Sequence, residues 1–179
     1  VRYPDLLSKA IIAGGKAASV INLGISGNQV LTSFLGDNPA ARLNRDVLTQ
    51  SGITHVIYLE GINDIGLPVL LSVLGIPTPL NSADAIIAGH QQVISRAKAA
   101  GLSVIGGTLT PSSGSSLPGY NDALAESKRQ AVNAWIRASG AYDVVIDFDA
   151  ALADPENPAA MRADLTADGL HPNAAGYQV

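Results

Sequence analysis

The sequence contains no cysteine, which excludes a disulfide scaffold and any thiolate-bound metal. A cysteine-free chain fits either side of a membrane, so the compartment stays open. Charge is scarce: Asp, Glu, Lys and Arg make up 15% of the residues, against about 25% in an average domain. The eleven Lys and Arg are scattered, Lys128-Arg129 is their one adjacent pair, and the net charge is −4. Nucleic-acid binding needs a basic patch, so that class is excluded. No strictly apolar run exceeds four residues, so no segment reads as a membrane span. The chain opens at Val1 with neither a Met nor a signal peptide. What remains is a single domain over residues 1–179, 47% hydrophobic, long enough to bury a core without a staple.

Hydrophobic periodicity alternates between two kinds of segment. Ser19-Leu23, His55-Leu59, Leu102-Ile105 and Asp143-Phe148 are short and β-branched, as strands of a buried parallel sheet are. Helical patterns lie between them. Arg2 to Ala13 ends at Gly14-Gly15. Asn38-Pro39 opens a second, with Ala40, Leu43 and Val47 on one face. Ser82 opens a third carrying Ile86, Ile87, Val93, Ile94 and Ala97. A fourth, from about Asn121 to Ser139, presents Leu124, Val132, Trp135 and Ile136. Strands separated by helices predict a three-layer α/β/α sandwich, and such folds place their sites beyond the carboxyl ends of the strands. Ile65 to Asn81, apolar and broken by Pro68, Pro77 and Pro79, reads as irregular. It is expected either to line an acyl or alcohol pocket or to pack as a short helix.

Three motifs sit at strand ends or in the tail. They are Asn22-Leu23-Gly24-Ile25-Ser26-Gly27-Asn28, Leu59-Glu60-Gly61-Ile62-Asn63-Asp64, and Asp168-Gly169-Leu170-His171-Pro172-Asn173-Ala174-Ala175-Gly176-Tyr177. Each alone is ordinary turn, cap or loop chemistry. In this order they resemble blocks two, three and five of the SGNH hydrolases, also called the GDSL-like lipase/acylhydrolase family. Arg2-Tyr3-Pro4-Asp5-Leu6-Leu7 also resembles that family's first helix, so the resemblance spans the chain.

The resemblance implies a flavodoxin-like sheet and a carboxylic-ester hydrolase working without metal or organic cofactor. Gly27 and Asn63 would form the oxyanion hole, His171 would be the general base, and Asp168 its orienting carboxylate. The substrate would be a small-molecule or carbohydrate ester. The residue types suit those tasks. Glycine lets a backbone N–H approach a reacting oxygen, and an asparagine amide donates at every pH. Histidine exchanges protons near neutrality, and a carboxylate on its second nitrogen fixes the tautomer. His55 opens a strand at its amino end and His90 lies among core positions, so both read as structural.

The family's Gly-Asp-Ser block, which carries the nucleophile, has no counterpart in residues 1–179. Ser26 and the loop serines Ser112, Ser113, Ser115 and Ser116 lack the right context to replace it. The resemblance therefore implies a serine upstream of Val1, on a first strand between Val20-Leu23 and Val56-Leu59, with both ends of the chain trimmed. A non-catalytic binding module that kept the pocket and lost the serine is the alternative.

Overall fold

The computed structural model describes residues 2–179. Three parallel strands, β1 (His55–Tyr58), β2 (Ser103–Gly107) and β3 (Val144–Ile146), form one sheet in the order β1-β2-β3. Tyr58 is in register with Gly106, and Gly107 with Ile146, so the three carboxyl ends share one edge. The helices are α1 (Tyr3–Ala13), α2 (Pro39–Leu43), α3 (Ile62–Val73), α4 (Ala83–Ala99), α5 (Ala123–Ala138) and α6 (Phe148–Leu152). None is long and apolar enough to cross a membrane.

Local chemistry sets several helix starts. Asn38 Oδ1 accepts from the Ala41 N–H, Ser82 Oγ from Ala85 and Asp122 Oδ1 from Ala125. Each cap satisfies an amide that has no partner within its helix and contributes about 1 kcal/mol. Side chains then sort by strand alternation. Val56, Tyr58, Val104 and Val145 pack with Ile86, Val93 and Ile94 of α4 and Val132 and Ile136 of α5. Ile57 and Ile146 point the other way and, with Tyr3, Leu6, Leu7 and Ala10 of α1, line a cavity of about 560 Å³. The result is the α/β/α layering read from the sequence.

Four details differ from that reading. Ser19-Leu23 is not a strand. It runs as irregular chain with Ile21 and Leu23 exposed, and among the described residues β1 is hydrogen-bonded only to β2. A β-branched run forms a strand only against a partner, and none stands beside this one among the described residues. The last strand, read over Asp143-Phe148, keeps three residues, because Asp147 caps α6 instead.

The stretch from Ile65 is helical as far as Val73, as one of its two expectations had it, and irregular from Leu74 to Asn81. Pro68 lies inside α3, where its missing N–H would have bonded the Asp64 carbonyl. Asn81 Nδ2 donates to that oxygen instead, at 3.0 Å. Ile65, Leu67, Pro68 and Leu71 are buried, so α3 packs into the body. Finally, Leu124 is 56% exposed. The inward face of α5 is Ala125, Arg129, Val132, Asn133 and Ile136. A buried arginine, bonded to Glu126, Asp149 and the Leu109 carbonyl, takes a place that periodicity reserves for an apolar residue.

Candidate active site

The loop before α2 makes a tight turn, in which the Asn28 N–H donates to the Ile25 carbonyl at 3.1 Å. Gly27 holds φ +75°, and a Cβ there would lie 2.4 Å from Leu35 Cδ1. The positive φ selects glycine, whereas the exposed Leu35 side chain could move aside. Asn28, fully buried, anchors the chain that leads into α2. Its amide donates to the carbonyls of Leu35, Gly36 and Asp37, and its Oδ1 accepts from Arg42 Nη2 at 3.0 Å.

Asn63 and Asp64 lie in the first turn of α3, just beyond the carboxyl end of β1. Asn63 Nδ2 donates to the Asn28 carbonyl at 3.0 Å, next to Gly27. Asp64 is buried and accepts from the N–H groups of Val30 and Leu31 at 2.7 and 2.9 Å. Two neighbouring residues thus clamp the Gly27 loop to the first turn of α3. Burial pushes Asp64 up to about 6, against the pull of those backbone bonds. Burial also pushes Glu60 up to about 8. The Arg42 guanidinium, 4.0 Å away, pulls it down, and the charge of Asp64 adds to the rise.

Asp168 and His171 share a closed loop. Thr166 and Pro172 bridge antiparallel, and Thr166 Oγ1 donates to the His171 carbonyl at 2.8 Å. Asp168 Oδ1 accepts from the N–H groups of Leu170 and His171 at 3.0 and 2.8 Å. Its Oδ2 lies 2.8 Å from His171 Nδ1. Desolvation opposes the charged carboxylate, but the bonds from His171 and Leu170 outweigh it and hold Asp168 well below the usual carboxylate range. The His171 side chain is 68% exposed.

The four residues therefore form two assemblies, Gly27 with Asn63 and Asp168 with His171. No hydrogen bond joins the two among the described residues. Both lie toward the carboxyl edge of the sheet. A small cavity there brings Pro172 together with Leu59, Thr110 and Tyr177. The 110–121 loop touches both assemblies. The Tyr120 hydroxyl donates to Asn63 Oδ1 at 3.0 Å, and Gly114 lies against Gly169, where a Cβ would stand 2.2 Å from the Gly114 carbonyl. Tyr120 belongs to no motif singled out in the sequence.

Other candidates resolve into structure. Ser112 is buried and donates to the Tyr120 carbonyl, and Ser115 is buried and accepts from the Leu117 N–H. His90 is buried, with Nδ1 at 2.6 Å from the Tyr142 hydroxyl and Nε2 at 3.1 Å from the Glu60 carbonyl. The carbonyl requires a donor, so Nε2 carries the hydrogen. Burial then lowers this histidine to about 4 and keeps it neutral. His55 is exposed and bonded to Thr54 Oγ1.

Comparison with curated proteins finds no match. Among solved structures, the chain resembles a GDSL-like lipase from Bacteroides thetaiotaomicron, at 22% identity and TM-score 0.72, over 98% of this chain and 76% of that one. It also resembles a variant of an acetyl-xylooligosaccharide esterase from Geobacillus stearmophilus, at 23% identity and TM-score 0.74, covering 99% and 76%. A third is an acetyl xylan esterase, at 21% identity and TM-score 0.70, covering 99% and 85%. At these identities the likeness speaks for the fold. The model of the GDSL-like lipase/acylhydrolase family matches residues 1–179, and the chain belongs to that family.

Proposed function

We propose that the protein is a carboxylic-ester hydrolase that works through an acyl-enzyme. The observation that carries this is the 2.8 Å contact between Asp168 Oδ2 and His171 Nδ1. With Nδ1–H bonded to the carboxylate, Nε2 keeps its lone pair for a proton. The nucleophile is a serine on the Gly-Asp-Ser block that the family places ahead of α1. Its hydroxyl attacks the ester carbonyl as His171 Nε2 takes the proton. The oxyanion that forms accepts from the Gly27 N–H and Asn63 Nδ2. Asn63 spends one amide hydrogen on the Asn28 carbonyl and has a second for the substrate. Collapse expels the alcohol, protonated by His171. Water, deprotonated by the same nitrogen, then releases the acid.

The substrate is a small-molecule or carbohydrate ester. Two of the structural neighbours act on acetylated xylan or xylooligosaccharide, which favours a short acyl group. With one Trp, five Tyr and two Phe in the chain, there is little aromatic surface on which to stack a long glycan. The test is hydrolysis of p-nitrophenyl acetate by the full-length gene product, unaltered and as His171→Ala. Loss of several orders of magnitude in turnover is expected, as for one member of a catalytic unit. Undiminished turnover would remove His171 as the base.

A further inference from the structure

We infer that Tyr120 is a positioning residue for the Asn63 amide, fixing which of its two ends faces the reacting oxygen. The inference rests on the reading of Asn63 as an oxyanion donor.

An asparagine amide can rotate by half a turn and exchange its oxygen for its NH₂ at little steric cost. Two contacts decide the matter here. The Asn28 carbonyl, 3.0 Å from Nδ2, requires a donor. The Tyr120 hydroxyl, 3.0 Å from Oδ1, can donate to an oxygen. The backbone carbonyl alone would hold the amide from one side. The phenol closes the other, and the reversed amide would set NH₂ against a hydroxyl that must then turn its own hydrogen away.

The phenol is itself held rigidly. Tyr120 is 4% exposed. Its ring covers Gly66 of α3 so closely that a Cβ there would sit 2.4 Å from ring carbons. Its carbonyl accepts from Ser112 Oγ at 2.9 Å. Burial, with the charge of Asp64 adding to it, pushes the phenol up to about 12, so it keeps its proton at any working pH. Donation to Oδ1 also draws electron density toward the amide oxygen, which makes the NH₂ a stronger donor. Orientation and polarisation act in the same direction, and both are worth most when the oxyanion carries full charge. Tyr120 should therefore act on kcat more than on KM.

The test is a cycle of Tyr120→Phe, Asn63→Ala and the double variant in the full-length gene product, with kcat, KM and melting temperature measured for each. Tyr120→Phe keeps the ring over Gly66. It is expected to lower kcat roughly 10-fold to 100-fold, leave KM within about 2-fold, and add nothing in the Asn63→Ala background. An unchanged kcat in Tyr120→Phe, beside a loss in Asn63→Ala, would overturn the positioning role and leave the oxyanion reading intact. An equal loss in both backgrounds would also overturn it, since Tyr120 would not then act through Asn63. If Asn63→Ala costs nothing, the oxyanion reading fails and the inference falls with it. Nitrogen-15 spectra supply a readout that needs no turnover. The Asn63 NH₂ pair, assigned by its disappearance in Asn63→Ala, should move in Tyr120→Phe, and an unmoved pair would overturn the contact.

Discussion

Asp168 meets His171 twice, once at the backbone N–H through Oδ1 and once at the ring through Oδ2. Asp168→Asn would keep the shape of this arrangement and lose its polarity. An NH₂ facing Nδ1 selects the tautomer with its hydrogen on Nε2, which cannot then act as the proposed base. The expected outcome is a fall in kcat of roughly 10³–10⁴, with the melting temperature nearly unchanged because both side chains are more than half exposed. Steady-state kinetics on a chromogenic ester together with a thermal melt checks both halves.

On the proposed mechanism the bond from Asn63 to the substrate forms mainly in the transition state, so Asn63→Ala should lower kcat roughly 10²–10³ with KM little changed. A raised KM with unchanged kcat would show that Asn63 only holds the bound ester.

Leu71 separates the two expectations for the segment that begins at Ile65. It is 9% exposed on the inward face of α3. Leu71→Ala should lower unfolding free energy by about 2–4 kcal/mol, as core truncations do. Rates on short-chain and long-chain esters should fall together or not at all. A change in their ratio would return this segment to the acyl pocket.

Stability should depend on pH through Glu60 and Asp64. Both bind a proton more tightly in the fold than in the unfolded chain, at about 8 and about 6. Their contribution is therefore full below about pH 4, and is lost as pH rises through 6 and then 8. Glu60→Gln, which stays neutral, should raise the urea midpoint at pH 8.5 and leave it nearly unchanged at pH 4. Each unit of pKa difference corresponds to about 1.4 kcal/mol. An equal gain at both pH values would mean that Glu60 acts by packing and not by titration.

The parts of the fold legible in the sequence are those settled within a few residues. Asn38, Ser82 and Asp122 cap their helices with their own side chains, and the Asp168–His171 pair closes over three positions. Features that depend on distant partners are harder to read. Ser19-Leu23 has the composition of a strand, but a strand is a relation between two segments. The three prolines after Ile65 hide a helix whose broken hydrogen bond is repaired by Asn81, seventeen residues away. Arg129 resembles a surface residue in the sequence because its carboxylate Asp149 belongs to another element. Tyr120 leaves one trace: Gly66, in the interior of α3, is a costly choice unless something must approach closely.

The bonds that close the loop around His171 span two to eight residues. The bond between Asn63 and Asn28 spans thirty-five. Short closures lose little chain entropy and form quickly, whereas long ones wait for the chain to collapse. The Asp168–His171 assembly should thus be in place early in folding, while the Gly27–Asn63 assembly arrives with the sheet. In pulsed hydrogen exchange during refolding, the amides of Leu170 and His171 should gain protection before those of Val30 and Leu31, whose acceptor is Asp64.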